Sequence, residues 1–371
     1  MRVIDVDGHV FEPDELWERY LDRRFHDRRP RLVLDERGTT RYLVEGRLTP
    51  AGTGVGAWVP EGMREASAQR EGAVDPRARL EDMDTDGIDV AVLYGAISLG
   101  FSSHLIGDRE LAIACCRAYN NWLADYCSAE PERLKGVPVL PLTWMGDALA
   151  EAERAVRELG FPSLTTPCAV GDRNADHPDF DDLYDLAEDL GVPVGFHAGG
   201  ARFAYHKFVD AYAQLHALEF PFNIMFAATT LVCGGVLERH PRLRVALLEA
   251  GAGWVPYFFE RLDEHWEHRA DEMPLNRRPS DFLHNGQLFI STEGEEGLGH
   301  VVAQVGAGCV VWASDYPHWD ARFPGAVKPI LDHPELSDAD KRSILSSNAE
   351  RLLGWSEARA DKVPAGTEGG R

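Results

Sequence analysis

The sequence predicts an α/β fold, a (β/α)8 TIM barrel with a β-hairpin-bearing insertion after its first strand. Eight short apolar runs recur along the chain, and amphipathic helical patterns lie between most of them. Strand–helix alternation repeated eight times is typical of a closed parallel barrel. A doubly wound sheet, the alternative, would require a glycine-rich phosphate turn after the first strand, and the segment DVDGHVFEP does not contain one.

The strands and helices are predicted from hydrophobic periodicity, which has a period of two residues in strands and 3.6 in helices. The predicted strands lie within residues 3–9, 88–95, 134–142, 161–169, 192–198, 243–251, 288–294 and 309–317. The clearest helical patterns cover residues 109–127, 146–159, 179–190, 323–332 and 337–354. The segment 203–235 is longer than an ordinary crossover and is predicted to be helical, forming a second wall of the substrate site.

One domain is predicted over residues 1–355, with an insertion at about residues 25–80 and a disordered tail at 356–371. Within the insertion, PRLVLDERGTTRYLVEGRL contains two alternating runs around a Glu-Arg-Gly turn, which predicts a β-hairpin. An insertion after strand one lies above the barrel mouth, where loops shape the substrate site. The tail is polar and contains glycine and proline, which favours disorder.

Composition excludes some classes of partner. The net charge of the 371-residue chain is −23, which argues against a nucleic-acid partner and against adhesion to an anionic membrane. We find neither a signal peptide nor an apolar run of bilayer-spanning length. Six cysteines without C-x-x-C spacing are expected to be reduced core residues, so a cytoplasmic protein is predicted.

The first strand contains polar residues on alternate positions. If residues 3–9 form a strand, Ile4 and Val6 face one side, and Asp5, Asp7 and His9 face the other. Inside a barrel, each unpartnered polar group costs roughly 1–3 kcal/mol. A bound metal would remove this cost for Asp7 and His9, and Asp5 below them is expected to brace neighbouring groups by hydrogen bonding.

Other polar residues follow the carboxyl ends of later strands, where a barrel of this type has its active site. His197 ends strand five, Glu249 ends strand six, and Asp315 ends strand eight with His318 just beyond it. Histidine nitrogens and carboxylate oxygens form a ligand set that suits Zn²⁺ or Mn²⁺. Glu293, at the end of strand seven, is interpreted as a loop carboxylate.

The chain resembles the amidohydrolase-related (amidohydrolase 2) branch of the metal-dependent hydrolases, which includes aminocarboxymuconate-semialdehyde decarboxylase and resorcylate-type decarboxylases. The resemblance runs from residue 3 to about residue 353. Its most specific parts are IDVDGHVFEP, RLEDMDTDGIDVAVL, VPVGFHAGG, ALLEAGAGWVPYFFERLDE and WASDYPH. It implies one catalytic divalent ion held by Asp7, His9, His197 and Asp315, and a homodimer or higher homo-oligomer.

Glu249 departs from the pattern of the family. Many members carry a catalytic histidine at the end of strand six, whereas this chain reads LLEAGAGW. Glutamate can also act as the catalytic acid or base if its pKa is raised toward neutrality. Alternatively, Glu249 binds the metal or orients the substrate.

The departure at Glu249 favours hydrolysis of a C–N or C–C bond of a small carbonyl or carboxylate compound. A metal-activated water attacks, Asp315 accepts its proton, and Glu249 protonates the leaving group. The first alternative is a non-oxidative decarboxylase of an aromatic or unsaturated acid. The second is a catalytically inactive barrel that acts as a binding protein.

Several further residues are assigned with less support from the sequence. His318, Arg202, His206 and Trp254 are candidates for substrate contact at the barrel mouth. His240 follows a helix and precedes a proline, so an exposed cap is expected. The run DEHWEHRADE, despite its two histidines, has the composition of a solvated helix face.

Overall fold

Eight short parallel strands with β-branched and apolar sequences form the centre of the fold. The computed structural model describes residues 1–36, 40–48, 70–103, 105–199, 203, 208–209 and 212–355. The barrel strands are β1 (Ile4–His9), β2 (Val90–Tyr94), β3 (Leu134–Gly136), β4 (Leu164–Pro167), β5 (Val194–His197), β6 (Val245–Leu247), β7 (Leu288–Thr292) and β8 (Val310–Trp312). Each lies within one of the predicted strand segments.

The strands pair in the order expected for a barrel. β1, β2 and β3 form one parallel sheet, and β8, β7, β6, β5 and β4 form a second. Backbone hydrogen bonds join β1 to the segment after β8: His9 N donates to Tyr316 O at 2.7 Å, and Asp315 N donates to Asp7 O at 3.0 Å. The predicted TIM-barrel fold is confirmed.

The helices surround these strands. They are α1 (Asp14–Tyr20), α2 (Pro76–Asp86), α3 (Arg109–Cys127), α4 (Met145–Arg157), α5 (Asp181–Leu190), α6 (Tyr212–Cys233), α7 (Val236–Arg239), α8 (Val255–Arg269), α9 (Leu298–Val305), α10 (Lys328–Leu331), α11 (Asp338–Arg342) and α12 (Asn348–Leu352). A π-helical turn at Ser343–Ser347 joins α11 to α12. The 3-10 segments are Arg23–Arg28, Glu71–Ala73, Ile97–Ser102, Pro178–Phe180, Ala270–Glu272, Pro279–Leu283 and Ala307–Cys309.

Two apolar clusters account for the near-continuous hydrophobic character of the strands. In β2, Val90 and Val92 belong to a cluster inside the barrel that also includes Phe289 and Val311. The alternating residue Ala91 belongs to the larger cluster between the strands and the helices. Strands that are buried on both faces need apolar residues on both, as parallel sheets generally do.

The predicted strict alternation in the first strand is wrong for Asp5. The pairing of β1 with β2 shifts register between Asp5 and Gly8, so Asp5 pairs with Ala91 whereas His9 pairs with Tyr94. A shift of this kind reverses which face the following side chains occupy. Asp5 therefore lies on the helix-facing side with Ala91.

The insertion contains the predicted hairpin. Arg31–Leu34 pairs antiparallel with Thr40–Val44, which also pairs with a short third strand, Arg47–Leu48. The Glu-Arg-Gly turn at residues 36–38 and the tail at 356–371 lie wholly or partly outside the described residues. A further two-stranded antiparallel pair joins Ala169–Val170 to Arg173–Asn174.

Helix α6 corrects one expectation about apolar runs. Its segment Ala213–Cys233 is long and apolar enough to cross a membrane by length and composition alone, with a mean hydropathy of 1.3. About 39% of the 18-residue window is buried within the protein. The core helix of a soluble protein can have the same length and composition, so these two properties alone are weak evidence for a membrane span.

His240 is buried, so the expectation of an exposed cap is wrong. Its side chain is enclosed by α5, where Nε2 lies 3.1 Å from Asp181 Oδ1 and Nδ1 lies 3.0 Å from Asp185 Oδ1. The six cysteines are free thiols, and all except the half-buried Cys233 are buried, as predicted. His265 and His268 are exposed on α8, as their helix-face composition indicated.

Candidate metal centre

Three strands bring the four predicted ligands to one end of the barrel. Asp7 and His9 belong to β1, His197 is the last residue of β5, and Asp315 follows β8. Their exposed fractions are 1%, 0%, 6% and 7% respectively. Charged groups this deeply buried are normally paired or bound to a metal.

The Nε2 atom of His9 is at the centre of this group. It lies 3.5 Å from Asp7 Oδ1, 3.3 Å from Asp315 Oδ1 and 3.4 Å from His197 Nε2. Two atoms bound to one ion at roughly 2.0–2.2 Å with tetrahedral angles are about 3.3–3.6 Å apart. The separations therefore have the size that shared coordination requires.

The hydrogen bond on the other side of the His9 ring determines which nitrogen carries the proton. His9 Nδ1 lies 3.0 Å from the carbonyl oxygen of Gly95. Because a carbonyl oxygen only accepts hydrogen bonds, this contact places the proton on Nδ1. Nε2 then presents a lone pair toward the oxygens of Asp7 and Asp315, which also lack protons when ionised.

The polar atoms left without partners indicate that a cation fits this site. Both carboxylate oxygens of Asp7 and Oε2 of Glu249 are buried without a hydrogen-bond partner among the described residues. Converging lone pairs of nitrogen and oxygen repel one another unless a positive charge lies between them. A divalent ion would supply that charge, and this donor set suits Zn²⁺ or Mn²⁺.

The potential ligands form two overlapping groups that share His9. One contains Asp7, His9 and His197, and the other contains His9, Glu249, Asp315 and His318. Within each group, the ligand atoms lie within 4.8 Å of one another. The structure therefore groups the predicted ligands at these strand ends, keeps Glu249 among the possible ligands and adds His318 to them.

Glu249 reaches this group from the segment after β6. Its Oε2 lies 3.2 Å from His197 Nδ1 and its Oε1 lies 3.7 Å from His9 Nε2, with the side chain 6% exposed. Glu249 and Asp315 have positive φ angles of 61° and 53°. Non-glycine residues adopt this left-handed conformation at a cost of roughly 1–3 kcal/mol and are concentrated at functional sites.

Burial controls the protonation of the groups around His9. Burial and the neighbouring imidazoles lower the pKa of His9 and of His197, which keeps both rings neutral and able to bind a metal. Burial and then the charge of Asp315 raise the pKa values of Asp7 and Glu249 well above the usual range. Without a metal, these two carboxyl groups retain protons at pH values where exposed carboxyl groups have lost them.

Asp315 and His318 form an ion pair beside the ligand group. His318 Nδ1 lies 2.8 Å from Asp315 Oδ1, and the His318 ring lies 4.2 Å from the His9 ring between centroids. Burial disfavours both charges, but the contact outweighs it, so the pKa of Asp315 is lowered and that of His318 is raised. In this pair, Asp315 is the anion and His318 the proton carrier.

Comparison with known proteins gives the family. The sequence matches the Amidohydro_2 family, described as amidohydrolase, over residues 4–355. The chain belongs to this amidohydrolase family. The resemblance found in its motifs is thereby confirmed, and the protein is an enzyme of the amidohydrolase superfamily.

Two named relatives of this amidohydrolase are decarboxylases. The chain is 26% identical to 2-amino-3-carboxymuconate-6-semialdehyde decarboxylase of Dictyostelium discoideum over 295 residues, which cover 76% of the chain and 77% of the relative. It is 28% identical to gamma-resorcylate decarboxylase of Rhizobium sp. strain MTP-10005 over 289 residues, which cover 74% and 86%.

Solved structures show the same fold. An amidohydrolase from Mycobacterium avium subsp. paratuberculosis K-10 superposes with a TM-score of 0.78 at 23% identity, covering 95% of this chain and 99% of that one. A dihydroxybenzoic acid decarboxylase from Polaromonas sp. JS666, with bound manganese and the inhibitor 2-nitroresorcinol, gives 0.71 at 19% identity and covers 98% and 99%. Both likenesses show the barrel architecture.

Below its proposed ligands, the amidohydrolase places an aromatic ring. Tyr94, at the end of β2, is buried with its ring centroid 6.2 Å from that of His9 and 5.7 Å from that of His197. A Cβ at Gly195 would lie 2.7 Å from the Tyr94 hydroxyl, so the missing side chain leaves room for the phenol. Tyr94 thus supports both histidines from inside the barrel.

Asp5 braces the two ligand-bearing strands, as expected. Its Oδ1 accepts from the backbone N–H of Ser314 at 2.9 Å and of Asp7 at 3.2 Å, and its Oδ2 accepts from Ser314 Oγ at 2.6 Å. The buried Arg79 of α2 donates from Nη1 to His9 O at 2.9 Å and lies 4.3 Å from the Tyr316 ring centroid. Sequence reasoning missed Arg79, because only the packing of α2 brings it to β1.

The other residues predicted to contact the substrate do not all lie at the ligand group. His318 reaches the ligand group. Trp254 lies after β6, where its Nε1 donates to Gly251 O at 2.9 Å and its ring packs 5.8 Å from that of Phe258. Arg202 and His206 lie outside the described residues, so their predicted contact with substrate stays a prediction. Glu293 lies directly after β7 as a loop carboxyl group, where burial and then the charge of Asp315 raise its pKa to about 9.

Proposed function

We propose that this amidohydrolase is a manganese-dependent, non-oxidative decarboxylase of a small aromatic carboxylic acid. The observation that carries the proposal is the convergence of histidine nitrogens and carboxyl oxygens around His9 Nε2, with Oε2 of Glu249 buried beside them without a hydrogen-bond partner among the described residues. Two relatives of the chain are named as decarboxylases, and the solved decarboxylase from Polaromonas carries manganese. These names support decarboxylation over the hydrolysis that the sequence favoured.

Asp7, His9, His197 and Asp315 are the proposed ligands. When bound, a divalent ion supplies positive charge that stabilises the carboxylate and a neighbouring hydroxyl oxygen of the substrate. Neutral histidines and ionised aspartates are the forms that bind such an ion. Two contacts hold the histidines in the required orientation. His9 Nδ1 donates a hydrogen bond to Gly95 O, and the Tyr94 ring packs against both imidazole rings.

Glu249 is the proposed proton donor. In the reaction, its carboxyl proton forms a new C–H bond at the ring carbon that carries the substrate carboxylate. The C–C bond to the carboxylate then breaks, its electron pair restores the aromatic ring, and carbon dioxide leaves. Glu249 regains a proton from solvent. A buried carboxyl group among other carboxylates is suited to this role because burial and then the charge of Asp315 raise its pKa and favour its protonated form.

Asp315 and His318 take complementary parts in this proposal. Asp315 remains ionised beside His9, since His318 Nδ1 donates a hydrogen bond to its Oδ1 at 2.8 Å. The side chain of His318 is 25% exposed, whereas that of Asp315 is 9% exposed. His318 is therefore placed to pass protons between solvent and the buried carboxylates, including Glu249 Oε1 at 3.7 Å.

Hydrolysis is the second candidate, and one observation favours it. Glu249 stands where many members of the resembled family have a histidine, and a glutamate at this position would be suited to proton transfer in a hydrolysis for which a bound ion would activate water. In that case, Asp315 accepts the proton of the attacking water. An inactive binding barrel is the third candidate, which the two strained ligand-group residues argue against.

Isotopic labelling separates these candidates. The metal-free protein is reconstituted with Mn²⁺ and supplied with 2,6-dihydroxybenzoate and related hydroxybenzoates in D2O. Decarboxylation releases carbon dioxide and leaves one deuterium at the ring carbon that carried the carboxylate. A parallel reaction in H2¹⁸O with amide and ester analogues detects hydrolysis through ¹⁸O in the product.

Each outcome decides between the candidates. Carbon dioxide release with deuterium incorporation supports the proposal, provided that the activity disappears on chelation and returns with Mn²⁺. Incorporation of ¹⁸O without carbon dioxide release would replace it with hydrolysis. A protein that binds Mn²⁺ stoichiometrically but turns over neither substrate set would favour the binding barrel.

A further inference from the structure

Glu12 is a buried carboxylate, 1% exposed, three residues after His9. It accepts hydrogen bonds from three consecutive backbone N–H groups. Its Oε1 accepts from Ala96 N and Ser98 N, both at 3.0 Å, and its Oε2 accepts from Ile97 N at 3.3 Å. Bonds from N–H groups to an ionised carboxylate are roughly twice as strong as neutral ones, so Glu12 fixes the backbone of the loop after β2.

That loop begins with Gly95, whose carbonyl oxygen accepts the hydrogen bond from His9 Nδ1 at 3.0 Å. The loop packs so closely at Gly95 that no side chain fits there. A Cβ would lie 2.8 Å from Glu12 Oε1 and 2.9 Å from the Tyr119 hydroxyl, and closer still to Ser98 Oγ. The position of the Gly95 carbonyl is thus set by the groups gathered around the Glu12 carboxylate.

The backbone at Glu12 is itself held in place by hydrogen bonds. Its backbone carbonyl accepts a hydrogen bond from the buried Tyr42 hydroxyl of the insertion hairpin at 2.6 Å. Immediately before Glu12 in the chain, Phe11 N donates to Ala73 O at 2.9 Å and Val10 N donates to Tyr94 O at 2.8 Å. The carboxylate therefore acts on the loop from a fixed backbone.

We propose that Glu12 is a positioning residue for the metal centre. It holds the Gly95 carbonyl where that carbonyl keeps the His9 proton on Nδ1 and turns Nε2 toward the ion. Glu12 does not itself bind the ion in this role; it acts through the loop. The inference rests on the proposed ligation of the metal by His9, and it adds the residue that determines how His9 is presented.

The test compares two buried glutamates. Glu12→Gln replaces one carboxylate oxygen with an NH2 group that faces backbone N–H donors. Glu151→Gln is the matched control, because Glu151 is 3% exposed and accepts hydrogen bonds from Asn120 and Arg154, away from the metal centre. Metal-free protein is titrated with Mn²⁺, and the free ion is measured by electron paramagnetic resonance.

We expect Glu12→Gln to weaken Mn²⁺ binding by about 10- to 100-fold, the usual effect of removing a group that orients a metal ligand. Glu151→Gln should bind Mn²⁺ as the wild type does. Equal affinity in the wild type and in Glu12→Gln would overturn the role of Glu12 and leave the proposed function standing. A wild-type protein that binds no Mn²⁺ would instead refute the metal centre on which both depend.

A second measurement covers the case in which Glu12→Gln does not fold. Long-range ¹H–¹⁵N spectra of ¹⁵N-histidine-labelled wild type, with His9→Gln used for assignment, report the protonated nitrogen of His9. The proposal requires the proton on Nδ1, and a proton on Nε2 in the metal-free wild type would contradict it. Glu12→Asp, which keeps the charge but shortens the reach, should lower Mn²⁺ affinity as well, and unchanged affinity would contradict the proposal.

Discussion

His9 Nε2 lies 3.3 Å from Asp315 Oδ1, although the two residues belong to opposite ends of the sequence. The contact joins the first strand of the barrel to the segment after its last strand. The backbone hydrogen bonds between Asp7 and Asp315, and between His9 and Tyr316, fix the two chain segments beside each other. The candidate metal centre therefore lies where the first and last strands of the barrel meet.

Removal of a ligand should weaken metal binding without unfolding the barrel. His197→Ala is expected to lower Mn²⁺ affinity by more than the roughly 10- to 100-fold that loss of a supporting group costs. His265→Ala, on the exposed face of α8, is the control and should leave affinity unchanged. Calorimetric titration of the metal-free proteins measures both, and equal affinities would show that His197 is not a ligand.

Glu249→Gln should separate proton transfer from metal binding. The amide cannot donate the proton, so kcat is expected to fall about 10²- to 10⁴-fold, the usual contribution of a general acid. Mn²⁺ content should stay stoichiometric, because the four proposed ligands are unchanged. Glu296→Gln, at an exposed loop position, provides the control. Loss of Mn²⁺ together with activity would instead make Glu249 a metal ligand.

The metal-free protein should lose stability as the pH rises. Burial and then nearby charges raise the pKa values of Asp7 and Glu249 in the folded chain. Between the ordinary carboxyl pKa of about 4 and these raised values, the folded state binds more protons than the unfolded state, so the free energy of unfolding falls with pH. Melting temperatures of chelator-treated protein between about pH 6.5 and pH 8, above the ordinary histidine pKa where His9 and His197 no longer oppose the effect, test this sign.

Asp7→Asn isolates this effect, since His9 and His197, with their lowered pKa values, contribute in the opposite direction below the ordinary histidine pKa of about 6.5. The variant should show a shallower decrease of melting temperature with pH than the wild type. Mn²⁺ should also flatten the decrease in the wild type, because the ion stabilises the ionised carboxylate that it binds. An unchanged slope in Asp7→Asn would mean that Asp7 is already ionised in the metal-free protein.

Gly8→Ala tests the packing below the ligands. A Cβ at Gly8 would lie 2.9 Å from Asp5 Oδ2 and still closer to Arg79 Nη2, both of which are buried. Overpacking of this kind costs about 1–3 kcal/mol of unfolding free energy. The control is Gly146→Ala in α4, where nothing lies within 4 Å, so the alanine should be neutral or stabilising. Denaturant unfolding measures both variants, and equal effects would contradict the packing argument.

Local patterns were enough to predict the eight strands, the long helix α3 and the hairpin of the insertion. The ligand positions came from motifs at strand ends, and the structure brings those residues together. The register shift in β1 could not be predicted, because it depends on pairing with β2 rather than on the sequence of β1. It moved Asp5 away from the face that alternation assigned to it.

Residues that act through distant contacts were also missed or misjudged. The role of Glu12 depends on backbone N–H groups at residues 96–98, and Arg79 reaches β1 only through the packing of α2. His240 is buried because Asp181 and Asp185 lie on α5, far from it in the sequence. In each case the deciding partner lies more than 50 residues away, beyond the reach of any local pattern.

The placement of ligands on the first strand and just after the eighth has a consequence for biosynthesis. A ribosome makes Asp7 and His9 first and Asp315 only after more than 300 further residues. Until then, the growing chain has at most three of the four proposed ligands, and the strand that completes the cylinder does not yet exist. Coordination by all four proposed ligands therefore cannot form until synthesis has passed residue 315, late in the making of the chain.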